Sequence, residues 1–329
     1  MKRALLGLVL AWALSTAGGA LACGGGTDLV GRLRDDDPAR FAAFEAAGRK
    51  TPNAEGVLWR LSRDGVPDSH LFGTIHLSDP RLTPLPEQAL AAIRASRRVL
   101  VEPRESADQG KAGQAMTLAS QMAYRPQGRT LNAIPAEDRV AVVNLLAARG
   151  VPEMAARRLE PWFLAMLAMT PSCEIARIDD GALNVDGLVV KAAREAKVPV
   201  SGLEDADEQM EALAAVPLPL ASRVLVDTAR LGPAFADFVE TVINLYRDRR
   251  LGFLSAALRD FDLGGPRMRT QLDYFEAVLA GRNAVMEERS RQALAEGGVF
   301  VAVGAMHLAG GDGLVERLRR QGFRVEKIL

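Results

Sequence analysis

The sequence predicts an α/β protein with a mostly parallel sheet, flanking helices and a large helical layer or lobe. Short apolar runs, which are typical of buried strands, alternate with longer stretches of helical periodicity. Strands that are separated by helices form mostly parallel sheets covered on both faces. Several of the apolar runs end in a histidine or a glutamate, so the sheet is expected to carry its chemistry at the strand ends.

The predicted elements can be placed in chain order. Residues 23–55 are polar and predict one or two helices against the main body, and residues 56–77 predict a β-hairpin that turns at Asp64–Gly65. The runs RVLVEP, VPVSGLE, GVFVAVGAMHL and FRVEKIL predict four further strands. Helical insertions are expected at about 106–195 and 205–296, within a single domain spanning residues 23–329.

Residues 1–22 predict a secretory signal peptide. They combine a basic start, an apolar stretch from Ala4 to Leu14, and small residues before Cys23 that fit a cleavage site. The apolar stretch is shorter than the ~20 residues that span a bilayer, and no later segment is long and apolar enough to do so. We therefore expect a periplasmic or secreted protein. Lipid anchoring at Cys23 is an alternative, which the residue order before it disfavours.

The cysteines and the charges narrow the class of protein further. Cys23 and Cys173 are the two cysteines of the chain, and export predicts that they pair, with two unpaired thiols as the alternative. Lysine and arginine together number 41, as do aspartate and glutamate, which argues against a nucleic-acid partner. The sequence predicts no particular oligomeric state.

Two of the three histidines share one local pattern. Gly73 precedes His76 by three positions, and Gly304 precedes His307 by three positions, each time at the end of a strand-like run. Because glycine lets a strand bend or a ligand approach the backbone, we expect both glycines to make room for a bound group. The third histidine, His70, is expected before its strand and at the surface.

Two carboxylates also end predicted strands, Glu102 after VLV and Glu204 after VSGL. The carboxyl ends of parallel strands meet at one edge, so both should converge with His76 and His307. Two imidazoles and a carboxylate suit Zn, Mn, Fe or Co and leave positions open for water or substrate. The second carboxylate would then serve as general base. The alternatives are hydrogen-bonded structural histidines and, for Glu204, a helix cap.

Other motifs are less informative. The turn AGGDG after His307 precedes a helix and offers backbone N–H groups to an anion. GRN at 281–283 interrupts a helical pattern and is, on physical grounds alone, a solvated face. No G-x-S-x-G, H-E-x-x-H, C-x-x-C or Walker motif occurs, which argues against serine-hydrolase and thermolysin-like sites.

Five segments together resemble one known family. LFGTIHLSD, VLVEP, GLEDADEQ, GRNAVM and VFVAVGAMHLAGGDGLVERLRRQGFRV look, in this order, like the TraB/GumN family, also called the TIKI or pheromone-shutdown family. The similarity spans roughly residues 55–329. CGGGTDLVGRL and PSCE resemble a secreted bacterial branch, which supports the predicted disulfide.

The resemblance implies an α/β fold shared with the haem-binding protein ChaN and with erythromycin esterase. Family members share the two G-x-x-H motifs, a glutamate that matches Glu102 and an arginine that matches Arg282. The animal TIKI members are Mn/Co-dependent, membrane-tethered proteases that trim Wnt proteins. Most bacterial members have no established substrate, so the Wnt substrate does not carry over to this sequence.

The sequence therefore predicts an exported metal-dependent hydrolase, peptidase-like, with a peptide or protein substrate. His76, His307 and Glu102 would bind a divalent Mn, Co or Zn ion, and Arg282 would stabilise developing negative charge. Glu204 would be the base or would orient another site residue. A non-catalytic haem- or metal-binding protein of the cell envelope is the second hypothesis, and a structural protein with buried histidines is the third.

Overall fold

The computed structural model describes residues 25–103, 117–128 and 130–329 of the chain. The predicted signal peptide, Cys23 and the first residues of the first helical insertion lie outside these ranges. Cys173 lies within them, in the helix Ser172–Asp179. The pairing of Cys23 with Cys173 therefore stays a prediction.

Six strands form one mixed sheet, and every strand that the sequence predicts is present. Their order across the sheet is β4-β3-β5-β2-β1-β6. The neighbours from β4 to β2 run parallel, whereas β1 is antiparallel to both β2 and β6. The bounds are β1 Leu58–Arg63, β2 Val66–Thr74, β3 Arg98–Pro103, β4 Val200–Glu204, β5 Val299–Gly304 and β6 Arg324–Lys327.

The hairpin of β1 and β2 is confirmed, but one residue in it lies elsewhere than predicted. Gly65 adopts the left-handed φ of 76° that a tight hairpin turn requires. His70 was expected before its strand, but it lies inside β2, opposite Arg60 on one side and Phe300 on the other. The run VPDS before it is polar, yet it pairs with β1, because strand pairing does not require apolar side chains on an exposed face.

Alternate residues of the central strands enter two separate cores, one on each face of the sheet. Phe72 and Phe300 face the helices near the N-terminus and in the middle of the chain, with ring centroids 5.8 Å apart. Leu71 and Val301 face the opposite side, where the helices Arg282–Glu296 and Leu314–Arg320 cover them. Both faces are buried, which explains the nearly continuous apolar runs of these strands.

The helices occupy both predicted insertions and the N-terminal segment. The α-helices are Leu29–Asp36, Pro38–Gly48, Glu87–Ala95, Thr130–Ala133, Ala136–Ala147, Glu153–Ala156, Pro161–Met169, Ser172–Asp179, Val185–Glu195, Ala206–Ala214, Leu218–Leu231, Phe235–Arg247, Gly265–Leu279, Arg282–Glu296 and Leu314–Arg320, with a further helical stretch over residues 117–123. Short 3-10 or π turns lie at Pro80–Leu82, Gly232–Ala234, Leu251–Phe253, Ala256–Asp260 and Ala305–His307.

Part of the helical region has apolar cores of its own. Trp162 and Phe163 pack with Val224 and Tyr274 in one cluster, while a neighbouring cluster includes Leu164. Helices in this region therefore pack against one another, as the predicted helical layer or lobe requires. No single helix in the described ranges is long and apolar enough to cross a membrane. Two segments separated by an 88° bend, Ala206–Ala214 and Leu218–Arg247, reach that length and apolar composition only when they are taken together.

Candidate functional site

The predicted site residues all lie at the carboxyl edge of the sheet. β2 ends at Thr74, two residues before His76, and β4 ends at Glu204. Glu102 lies on β3, and the 3-10 turn that carries His307 follows β5 directly. Because these four strands are parallel, their carboxyl ends share one edge.

Glu102 is the centre of the cluster. Its side chain is only 2% exposed, and its Oε1 accepts a hydrogen bond of 2.6 Å from the backbone N–H of Gly304. The Nε2 atom of His307 lies 3.2 Å from Oε1, and Nε2 of His76 lies 3.8 Å from Oε2. Nη2 of Arg282 lies 3.5 Å from the same Oε2. The structure thus brings both histidines and the arginine to one buried carboxylate.

His76 is held from its other ring nitrogen. Its Nδ1 lies 2.8 Å from Oδ2 of Asp186, whose Oδ1 accepts a 2.6 Å hydrogen bond from the hydroxyl of Thr74. The charge of Asp186 raises the pKa of His76 to about 9. The His76 side chain is 62% exposed, whereas Asp186 is buried. The buried carboxylate therefore holds the exposed ring in place through Nδ1.

His307 is held in the same way by a different chemical group. Its Nδ1 lies 2.6 Å from Oδ1 of Asn283, and Nδ2 of Asn283 donates to the backbone carbonyl of Asp312 at 2.9 Å. His307 is only 2% exposed. Burial lowers the pKa of His307 to about 4, even though Glu102 opposes that shift, so the ring is neutral at pH 7.

Arg282 is fixed by Glu204 rather than exposed to solvent. Its Nε lies 3.1 Å from Oε1 of Glu204 and its Nη2 lies 2.6 Å from Oε2, a two-point pair. The expectation that GRN forms a solvated face is wrong for Arg282, whose side chain is 13% exposed. Gly281, with φ of 79°, precedes the helix that Arg282 begins and so turns that residue inwards.

This pair bears on the role predicted for Glu204. Both of its oxygens are bound to Arg282, and Nε2 of Gln209 lies a further 3.4 Å from Oε2. Both oxygens already accept hydrogen bonds from these donors, so neither is directed at a water or a substrate. The geometry therefore favours the orienting role over the role of general base.

The two glycines have different local functions. The N–H of Gly304 binds Glu102, and a Cβ there would lie 3.3 Å from Oε1 of Glu102. A Cβ on Gly73 would instead lie 2.7 Å from Leu308 and 2.9 Å from Ala305. The structure thus gives Gly73 a packing function against the segment after β5, where the sequence predicted room for a bound group.

Sequence reasoning missed three supporting residues. Asp186 lies in the first turn of a helix, where an acidic residue is an ordinary helix-start signal, and 110 positions separate it from His76. Asn283 was assigned to a solvated face. The hydroxyl of Tyr246 donates a 2.8 Å hydrogen bond to the carbonyl of Gly73, and an apolar helix gave no signal for it.

Two imidazoles and a carboxylate are the ligand types that divalent cations such as Zn and Mn prefer. Within the described ranges, no three side chains of His, Cys, Asp or Glu already have the spacing of a formed metal site. Yet two imidazoles present Nε2 towards one carboxylate, and each is held through Nδ1 by an oxygen acceptor, as metal-binding histidines usually are. The longest of these distances, 3.8 Å, joins Nε2 of His76 to Oε2 of Glu102.

Two surface cavities lie outside this cluster. One, of about 200 Å³, is lined by Phe72, Val185 and Tyr246 among others. The other, of about 720 Å³, lies in the helical region beside Asp138 and Arg230. Neither is lined by His76, Glu102, Glu204, Arg282 or His307. The candidate site is therefore distinct from both of these cavities.

The fold and the site define an α/β protein of the TraB type. The chain belongs to the TraB/PrgY/gumN family, whose model matches residues 57–327. It is also similar to a Shigella flexneri protein described as "Uncharacterized protein YbaP", with 23% identity over 260 residues, which cover 79% of this chain and 90% of the relative. No solved structure matches the chain at a significant level. The family predicted from the sequence is therefore confirmed.

Proposed function

We propose that the protein is an exported, metal-dependent hydrolase that cleaves amide bonds in peptides or proteins. One observation carries the proposal: His76 and His307 are each anchored through Nδ1, and each presents Nε2 to the buried carboxylate of Glu102. The leader predicted at residues 1–22 supports export to the periplasm or the medium. The balanced charge of the chain supports a partner other than nucleic acid.

In this proposal, Nε2 of His76, Nε2 of His307 and the carboxylate of Glu102 hold a Mn, Co or Zn ion. Such an ion acts as a Lewis acid and makes water a nucleophile near neutral pH. The N–H of Gly304 holds one oxygen of Glu102 in place. Because Asp186 raises the pKa of His76, this residue would have to give up its Nε2 proton before it could hold an ion through Nε2.

Arg282 supplies the positive charge beside the reacting carbonyl. Glu204 holds its Nε and Nη2, while Nη1 makes no hydrogen bond with any described residue. A fixed donor of this kind can bind the oxygen on which negative charge develops. Since Glu204 keeps the guanidinium in place before substrate arrives, the residue needs little reorganisation during the reaction.

The first test is the metal content of the purified exported protein after incubation with Mn, Co or Zn. We expect about one ion per chain in the wild type, by the ligand count of a single site. His76→Ala and His307→Ala should lose it. His70→Ala is the matched control, since His70 lies in β2 outside the cluster, and it should keep the ion.

The outcomes separate the hypotheses. A protein that takes up none of the three metals, or that keeps a full complement in both site variants, would contradict the proposal. A Soret band that is lost in either variant would favour the haem-binding alternative. Loss of stability without any bound metal or haem would favour buried structural histidines.

Catalysis requires a second measurement, cleavage of a peptide library by the metal-loaded protein. Arg282→Lys keeps a positive charge but cannot form the two-point pair with Glu204. We expect the variant to retain its metal and to lose roughly 10²- to 10³-fold in kcat/KM, the size of effect typical for a lost oxyanion donor. Equal cleavage by the two proteins would remove Arg282 from the mechanism.

A further inference from the structure

We infer that Asn283 is a positioning residue that fixes the tautomer of His307, so that Nε2 presents a lone pair to Glu102. The consequence for metal binding rests on the proposed function, whereas the tautomer itself rests on hydrogen bonds alone.

The orientation of the Asn283 amide follows from what its two ends contact. One end lies 2.9 Å from the backbone carbonyl oxygen of Asp312, which can only accept a hydrogen bond. That end must therefore be the NH₂ group. The other end, 2.6 Å from Nδ1 of His307, is then the amide oxygen, which also can only accept. Nδ1 of His307 must carry the proton.

The Asp312 carbonyl that enforces this orientation is itself held. Nε of Arg317 donates to the same carbonyl at 3.0 Å, and its Nη2 binds Oδ1 of Asp312 at 2.6 Å. Nη1 of Arg317 is paired with Glu287 at 2.7 Å. The turn AGGDG therefore presents a fixed acceptor to Asn283, where the sequence suggested N–H groups for an anion.

The tautomer determines what faces Glu102. A neutral imidazole that is protonated at Nδ1 has a bare lone pair at Nε2. That atom lies 3.2 Å from Oε1 of Glu102, which also lacks a proton when ionised. Two acceptors thus face each other in a buried position, an arrangement that a cation placed between them stabilises. Burial of both side chains disfavours the charged imidazolium as the alternative.

An amide and a carboxylate are not equivalent in this position. His76 is held by Asp186, whose negative charge favours a protonated ring. Asn283 accepts the same kind of hydrogen bond without charge, and its NH₂ group keeps the amide oxygen facing Nδ1. Asn283→Asp keeps an acceptor for Nδ1–H but places a second acceptor against the Asp312 carbonyl, so it loses the contact that fixes this orientation.

The tautomers can be read directly by long-range ¹H–¹⁵N NMR of histidine ring nitrogens in metal-free protein at pH 7. The chain has only three histidines, and His70→Ala and His76→Ala assign the spectra. We expect the Nδ1–H form for His307 in the wild type and mixed or Nε2–H forms in Asn283→Ala, whereas Asn283→Asp keeps an acceptor and should keep Nδ1 protonated. If the alanine variant does not fold, the aspartate variant tests the same claim.

Metal titration supplies the second readout. Both Asn283 variants should weaken the metal Kd by roughly 10- to 100-fold, as is typical when a residue that orients a ligand is lost. Asn244→Ala is the matched control, because Asn244 also bonds through both ends of its amide, to Glu240 and Arg247. It should change neither the tautomer nor the Kd.

The outcomes distinguish this inference from the proposed function. A wild-type His307 that is protonated at Nε2 at pH 7, or an unchanged tautomer in Asn283→Ala, overturns the inference. A protein that shows the expected tautomers but binds no metal supports the role of Asn283 and overturns the proposed function. Normal metal binding together with unchanged tautomers in all variants would support the proposed function and overturn the role of Asn283.

Discussion

Arg282 and Glu204 form a buried ion pair that fixes a positive charge 3.5 Å from Glu102. Such a pair contributes little net stability, because removing two charges from water costs about as much as their attraction returns. Its value lies in geometry: the two-point contact leaves the guanidinium one orientation. Loss of Glu204 would leave Arg282 buried with only the more distant Glu102 as its partner.

Glu204→Gln tests this pair. Glutamine keeps the shape and one acceptor but removes the charge, so we expect the free energy of unfolding to fall by about 1–3 kcal/mol. Urea unfolding measures it. The control is Glu276→Gln, which removes the charge from an exposed pair with Arg259 and should cost under ~1 kcal/mol. Equal losses of unfolding free energy in both variants would show that the buried charge of Glu204 matters no more to stability than the exposed charge of Glu276.

Alanine at the glycines should separate packing from site geometry. Gly73→Ala places a Cβ against Leu308 and the Ala305 backbone, and we expect it to cost about 1–3 kcal/mol in unfolding free energy. Gly304→Ala displaces Glu102 by a few tenths of an ångström, so it should reduce metal affinity more than stability. Gly311→Ala, which meets no atom within 4 Å, is the control for both measurements.

The reverse ranking would contradict this assignment. If Gly73→Ala left stability unchanged while abolishing metal uptake, the room at Gly73 would serve a bound group after all. If Gly304→Ala unfolded the protein, its contact with Glu102 would be structural. Isothermal titration with Mn and urea unfolding on the same preparations distinguish these cases.

Local patterns revealed which residues carry the chemistry, but not what holds them. His76, His307 and Glu102 were found because each follows its own apolar run within a few positions. Asp186 and Asn283 could not be found in that way, because each contacts its histidine only after distant segments fold together. An aspartate or asparagine in the first turn of a helix has an ordinary local explanation, which conceals a second function.

At the scale of elements, the short length of the apolar runs and the turn residues between them were sufficient to predict all six strands. The order β4-β3-β5-β2-β1-β6 was not predictable, because it depends on pairing between segments far apart in the chain, such as His70 with Phe300 and Trp59 with Lys327. The shared parallel direction of four strands was the one topological inference that the site needed, and it followed from the alternation with helices.

A helix of the first insertion holds the segment that follows His76. Glu174, in the helix Ser172–Asp179, accepts hydrogen bonds of 2.9 Å from the backbone N–H of Ser78 to both oxygens, and one of 3.0 Å from its hydroxyl. Glu174 is buried. The helical insertion therefore contributes to the position of His76 as well as to packing.

Glu174→Ala should loosen this segment. The buried donors of Ser78 would lose their acceptor, which costs about 1–3 kcal/mol. We expect hydrogen exchange at residues 76–79 to accelerate by roughly the tenfold or more that corresponds to that free energy. Glu195→Ala removes an exposed glutamate that pairs with Lys191, and it should leave exchange at these residues unchanged. Unaltered exchange in Glu174→Ala would mean that other contacts hold the segment.

At the scale of the whole molecule, one ion-pair cluster joins the sheet edge to the helical layer. Arg81, just after β2, binds Asp79 and also binds Glu240 of the helix Phe235–Arg247, at 2.9 and 2.6 Å. Burial alone would raise the pKa of Asp79, but the hydrogen bonds and charge of Arg81 outweigh it and lower that pKa. The hydrogen bond from Arg81 likewise lowers the pKa of Glu240.

These two pKa shifts predict how global stability depends on pH. A carboxylate whose pKa is lower in the folded state stabilises the fold fully above its ordinary pKa, here 3.8 and 4.5, and loses that contribution as pH falls through the folded value. Arg81→Gln removes the partner that these two carboxylates share. At pH 7 we expect the variant to be less stable by about 1–2 kcal/mol in urea unfolding.

The difference in unfolding free energy between wild type and Arg81→Gln should stay constant from about pH 7 to pH 5, where both carboxylates are ionised in the folded and the unfolded state. It should shrink below about pH 4. Arg139→Gln is the control, because Arg139 donates to the backbone carbonyls of Leu131 and Ile134, so its effect should not vary with pH. A difference that persists undiminished at pH 3 would show that Arg81 stabilises the molecule through packing of its aliphatic part rather than through Asp79 and Glu240. That result would show that the contact between the sheet edge and the helical layer does not depend on the ionisation of these two carboxylates.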